Sequence, residues 1–173
     1  MADRMAAEIW IGGKLRRLWL EEFPISDLRI DWDGTCFDST TEAGILSARD
    51  ENKLLHFADC EIAWGEFAEL ESWSREHKIP FRRHSSGKYE YLPETVEYRP
   101  DIGKGVEVYC LATDAGEPLV LKSEIAPILT AMTKLQKSTK PLEIQLRSWK
   151  RLAGKLIKVV PPDLPLLPPF EIV

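Results

Sequence analysis

Three observations predict an α+β fold with a mostly antiparallel sheet, helices on one face, a C-terminal basic helix and a Pro-rich tail. Short runs alternate polar and apolar residues with the two-residue period of strands, at Ala7–Ile11, Thr95–Arg99 and Val106–Thr113. Other segments carry apolar residues at helical spacing, at Glu61–His77, Glu124–Gln136 and Leu142–Val160. The chain has 173 residues, 44% apolar and 29% charged, which suits one compact domain. Strands and helices mix without a regular strand–helix–strand alternation, so an antiparallel sheet is expected rather than a parallel one.

The first alternating run ends at Gly12-Gly13, a bulge or turn. Lys14 to Phe23 has helical spacing and stops at Pro24, which predicts a short helix. Leu28–Trp32 alternates and ends at Asp33-Gly34, a strand and turn. Ser39-Thr40-Thr41-Glu42 has the spacing of a capping box opening a helix over 40–50. Leu54–Ala58 reads as a buried strand. The clearest helix runs from Glu61 to His77, with Trp64, Phe67, Leu70, Trp73 and His77 on one face. His77 then sits near the last carbonyls of that helix.

Two strands, 79–84 and 88–91, flank a Ser85-Ser86-Gly87 turn, with Pro80 at a strand start. Thr95–Arg99 closes at Pro100, and Val106, Val108 and Cys110 share one face of the next strand. Leu119–Leu121 is a short strand, and the helix over 124–136 takes Pro127 in its first turn. The chain divides into an α+β body (1–136), a basic amphipathic helix (137–160) and a tail (161–173) with five prolines between 161 and 169.

Charge separates along the chain. Residues 1–133 carry 15 Lys/Arg against 25 Asp/Glu, while residues 134–158 carry 8 against 1. An acidic body with a basic appendix points to charged partners. No apolar run is long enough for a membrane helix and no signal peptide is evident, so the chain reads as cytoplasmic with no membrane partner. Cys36, Cys60 and Cys110 are odd in number and widely spaced, which fits buried thiols rather than a disulfide framework or a metal site. His56, His77 and His84 lack metal-ligand spacing.

The segment Asp31-Trp32-Asp33-Gly34-Thr35-Cys36-Phe37-Asp38-Ser39 resembles the DxDGTxxDS signature of the haloacid dehalogenase superfamily of phosphatases. The resemblance implies Asp31 as nucleophile, Asp33 as general acid and base, and Mg²⁺ as cofactor. Arg29 interrupts what would be a buried strand, and after Asp114 the only aspartate is Asp163, so the acidic motif that completes the metal site has no counterpart. The same residues also read as an acidic turn with Asp33-Gly34 turning and Ser39 capping, a reading that needs no cofactor and no metal.

Arg82, Arg83, Lys88 and Tyr89, with Phe81 and Tyr91, form a basic-aromatic hairpin of the kind that contacts phosphate and stacks bases. Arg147, Lys150, Arg151 and Lys155 give the C-terminal helix a second basic surface for a partner or nucleic acid. The stretches Phe57–Glu71 and Ile79–Tyr91, with Ile9–Leu15, resemble a small uncharacterised family carried by phages, prophages and plasmids. That resemblance covers roughly residues 8–121 and carries over no site residue. It implies an interaction protein of a mobile element, including an anti-CRISPR-type inhibitor that occupies the surface of a host defence complex. The expected partner is a host protein or nucleoprotein complex. A Mg²⁺-dependent phosphatase using Asp31 and Asp33, and a nucleic-acid-binding accessory protein, are the alternatives.

Overall fold

A computed structural model describes residues 3–25, 28–88 and 90–173. In chain order the elements are β1 (Arg4–Ile11), β2 (Lys14–Leu15), a 3₁₀ segment (Arg17–Glu22), α1 (Glu42–Ser47), β3 (Leu55–Ala63), α2 (Ala68–Glu76), β4 (Phe81–Ser85), β5 (Glu94–Arg99), β6 (Val106–Leu111), α3 (Lys122–Gln136), α4 (Leu142–Val159) and β7 (Glu171–Ile172). They form two compact units. One comprises residues 1–117 and 165–173, and the other residues 118–164.

The first unit is built on a sheet of order β3-β1-β4-β5-β6, antiparallel at every pairing. The fold is therefore α+β, as the alternating runs predict. Ala7, Ile9 and Ile11 of β1 face the core, where they join Leu55 and Phe57 of β3 and Phe81 of β4. Leu70 and Trp73 of α2 cover them, and the segment before α1 adds Phe23 and Phe37. Phe37 meets Phe57 edge-on at 5.3 Å, and Phe23 meets Trp73 edge-on at 5.2 Å.

Several local expectations are corrected. Residues 61–63 are not helical, because Met5 and Ile62 pair in the β1–β3 ladder and the Trp64 N–H donates to Asp3 O at 2.8 Å. The chain turns through Trp64 (φ +58°) and Gly65 (φ +69°), and α2 begins only at Ala68. A Cβ at Gly65 would lie 2.6 Å from the Ser85 Cβ, so the turn needs glycine there. Residues 14–23 form β2 and the 3₁₀ segment instead of one helix. The hydroxyl of Thr41, not of Ser39, caps α1 by accepting from Gly44 N–H at 3.2 Å, and α1 ends at Ser47. Lys88 and Tyr91 form an isolated bridge, and the partner of β4 across the turn is β5. Residues 119–121 precede α3 without forming a strand, and Pro127 is the sixth residue of α3, beyond its first turn. Cys110 is buried, but Cys36 and Cys60 are exposed, and all three are unpaired.

The end of the chain is part of the first unit. β7 pairs in parallel with β2, and the backbone continues the match through Glu171 N–H to Gly13 O and Val173 N–H to Leu15 O, both 2.8 Å. Phe170 is fully buried, and Arg49 donates to its carbonyl. Arg99, also buried, donates to the carbonyls of Pro165 and Leu166 while its other N–H groups hold Glu97 and Asp101. That pairing holds the Asp101 carboxyl below its ordinary value.

The second unit is a helical hairpin. α3 packs on α4, Ile128 and Leu152 are buried, and the amide of Gln145 donates to Ser138 O and Lys140 O at 3.1 and 2.7 Å, which fixes the connection. Among the described residues no helix is long and apolar enough to cross a membrane.

Candidate functional site

Asp31 and Asp33 lie in an exposed turn, outside the strands of the main sheet. The turn is closed by Ile30 N–H to Thr35 O at 2.8 Å and the single bridge Arg29–Cys36, so the strand expected over 28–32 is corrected to a loop. Asp31 Oδ1 accepts the N–H groups of Asp33 and Thr35 at 3.0 and 3.3 Å, and Oδ2 accepts the Thr35 hydroxyl at 3.3 Å. This is the geometry of an aspartate-capped turn, with Gly34 at φ +85° supplying the left-handed residue. The phosphatase chemistry sets its nucleophile at the end of a buried parallel strand, and the sheet here is antiparallel throughout. Among the described residues no group of three or more His, Cys, Asp or Glu is arranged to hold a metal ion.

The basic-aromatic hairpin does not form one surface. Adjacent strand residues point to opposite faces, so Arg82 and Arg83 separate. Arg82 is half-buried and donates to Gly116 O at 3.0 Å. Arg83 is only 2% exposed and is not available to a nucleic acid. Its Nη1 donates to Gly65 O at 2.6 Å, its Nη2 to Glu94 Oε1 at 2.7 Å, and its Nε forms a 2.9 Å ion pair with Glu71 Oε1. Lys88 is exposed beside its bridge to Tyr91, and Tyr89 lies outside the described residues.

Arg83 instead forms the floor of a 530 Å³ cleft between α2 and the β5–β6 end of the sheet. Arg75 of α2 bridges Glu71 at 3.3 Å and Glu107 of β6 at 2.8 Å, and Tyr109 OH donates to Glu94 Oε2 at 2.6 Å. Glu71 also accepts the Phe67 N–H, and so closes the start of α2 where no side-chain cap precedes it. Burial pushes the Glu71 carboxyl above its ordinary value of 4.5, against the pull of Arg83 and Arg75. The bond to Glu94 and partial burial push Tyr109 up to about 12, so its hydroxyl remains a donor.

A carboxyl raised in the folded state binds more protons than in the unfolded state. Its contribution to stability therefore falls as pH rises from 4.5 through the raised value, and stays low above it. Glu71→Gln is expected to remove that descending component from a plot of unfolding free energy against pH, measured by urea titration across the acid range.

Arg147, Lys150, Arg151 and Lys155 lie on α4 and are all exposed, as is Lys158. At 100° per residue these five occupy about 140° of the helix. None makes an ion pair among the described residues. Beside them Leu142, Leu146, Ala153 and Ile157 fall within about 60° of one another. Leu142 is 80% and Ile157 76% exposed. α4 thus presents a cationic face and an aliphatic face side by side, in addition to the side carrying the buried Leu152.

No protein family, curated protein or solved structure matches this chain.

The sequence reading missed Glu71, Arg75, Glu94, Glu107 and Tyr109. Within each strand their parity is legible, since Glu94 and Val96, and likewise Glu107 and Tyr109, alternate onto one face. What brings them together is the β5–β6 register, which pairs Val96 with Tyr109 and Tyr98 with Glu107.

Proposed function

We propose that this chain is a non-catalytic interaction protein whose helical hairpin engages a macromolecular partner. The observation that carries this reading is the solvent-facing surface of α4, where five cations that make no ion pair among the described residues adjoin Leu142, Leu146 and Ile157. Phosphate alone is matched by the cations and leaves the aliphatic stripe in water. A groove with an apolar floor and an acidic rim is matched by both faces, in the manner of an amphipathic helix in a groove. Such a groove belongs to a protein, or to the protein part of a nucleoprotein complex. In its narrower form, resting on the mobile-element resemblance, the partner is a host defence complex and the hairpin inhibits it by occupying its surface.

The test is affinity capture from bacterial lysate with the full chain and with Arg147→Glu/Arg151→Glu/Lys155→Glu. These positions are exposed, so the triple variant is expected to keep its fold, checked by circular dichroism. A stoichiometric partner retained by the natural sequence and weakened about a hundredfold by triple reversal supports the reading. A Mg²⁺-dependent release of phosphate from phosphorylated substrates, abolished by Asp31→Asn and indifferent to the triple reversal, overturns it.

A further inference from the structure

The turn between β3 and α2 holds a bulky residue in the left-handed region, Trp64 at φ +58°. A non-glycine side chain is disfavoured there, and such positions concentrate at ligand sites. Trp64 does not belong to the core, for it is 46% exposed. Its ring lies 5.9 Å from that of Tyr91 at an interplanar angle of 72°. The two rings form a corner of a 260 Å³ pocket that Tyr109 lines from β6, and Met5, Glu90 and Glu94 share the rest of the wall with Ser85 and the aliphatic Leu92 and Leu111. Three exposed aromatic rings, a thioether and two carboxylates around one small cavity make a set of groups whose shared preference is a cation with an apolar skin.

The ring faces decide which cation. Glu94 already accepts from Arg83 on one oxygen and from Tyr109 OH on the other, and its charge is paired with the Arg83 guanidinium, so the aromatic faces supply most of what a cation meets here. A primary ammonium is strongly hydrated and needs acceptors for its three N–H groups. A quaternary ammonium has no N–H to satisfy and binds through its methyl skin to ring faces. The volume lies below that of pockets for drug-sized molecules, about 300 Å³ and above, which suits a head group rather than a whole ligand. We propose that the Trp64–Tyr91–Tyr109 pocket binds a quaternary ammonium group, either a free small molecule or the methylated end of a lysine side chain.

The test is calorimetric titration of the full chain with tetramethylammonium chloride at constant ionic strength, beside the neutral isostere 3,3-dimethylbutan-1-ol. Dissociation constants of about 10 mM for the cation and at least about tenfold weaker for the alcohol are expected. Trp64→Gly is the decisive variant, because glycine adopts φ +58° without strain and the fold is kept while a wall is removed. Affinity should fall about tenfold, and Tyr91→Ala should reproduce the loss if Trp64→Gly perturbs folding. Choline binding more tightly than a trimethyllysine peptide assigns a free ligand, and the reverse order assigns a peptide, either supporting the site. Equal affinity for the alcohol, no heat up to about 100 mM cation, or binding unchanged in both variants overturns it. None of these readouts depends on the hairpin, so this site and the reading of α4 fail separately.

Discussion

Replacing Arg83 by methionine is expected to lower the unfolding free energy by about 3–5 kcal/mol, the cost of breaking a buried ion pair from one side. Glu71 and Glu94 would both lose their shared cation, and Glu71 is only 5% exposed. The carbonyl of Gly65 would lose its 2.6 Å donor in a turn that already holds two left-handed residues. Arg83→Lys keeps the charge but cannot span the Gly65 carbonyl, Glu94 and the ion pair with Glu71 at once, so an intermediate loss is expected. Adding Glu71→Gln to Arg83→Met should recover part of the deficit, since the more buried of the two carboxylates deprived of Arg83 is then neutral. Urea denaturation of the natural sequence, Arg83→Met, Arg83→Lys, Glu71→Gln and the double variant, compared at constant slope, measures each step. Additive losses from Arg83→Met and Glu71→Gln would refute a direct coupling between the two groups.

The same network marks where sequence reading succeeds and where it stops. Period-two alternation locates β1, β5 and β6, and helical spacing with exposed charge locates α3 and α4, because each pattern is local and each element satisfies it. The long helix expected over 61–77 fails for a non-local reason: pairing with β1 holds residues 55–63 extended, and the apolar spacing at Trp64 and Phe67 is shared by a turn and a helix start. Arg82 and Arg83 illustrate a stricter lesson. Neighbours on a strand cannot share a face, so their grouping into one basic patch conflicts with the strand assigned to them. Asp31 and Asp33 stand in a pattern that serves catalysis or a turn equally well. The carboxylate of Asp31 accepts from Asp33 and Thr35 as it does in a turn, a geometry that no residue pattern spells out.

The tail is the part least legible in sequence, and its removal should have the other large effect. Polyproline-like segments have no hydrophobic period, so nothing in residues 161–169 indicates which surface they follow. Phe170 is the exception that anchors them, and Phe170→Ala is expected to cost about 3–5 kcal/mol, near 10 °C in the midpoint of thermal unfolding for a chain of this length. Deleting residues 165–173 should cost more, because it also removes β7 and the carbonyls that occupy Arg99 and Arg49. Arg99 is 2% exposed and would then rely on Glu97 and Asp101 alone. Gly12→Ala approaches the same contact from the other side. Its Cβ would fall 2.2 Å from the Pro168 carbonyl oxygen, so the strand end and the tail cannot both keep their places. If the tail is a structural clasp, Gly12→Ala destabilises the full chain by about 1–3 kcal/mol and the chain ending at residue 164 much less. Equal effects in the two backgrounds would mean that Gly12 serves β1 alone. Because residues 118–164 are inserted between the two pieces of the first unit, the clasp also determines whether the hairpin is tethered at both ends. Limited proteolysis of the truncated chain should accordingly release the hairpin, while the full chain holds it after the same exposure.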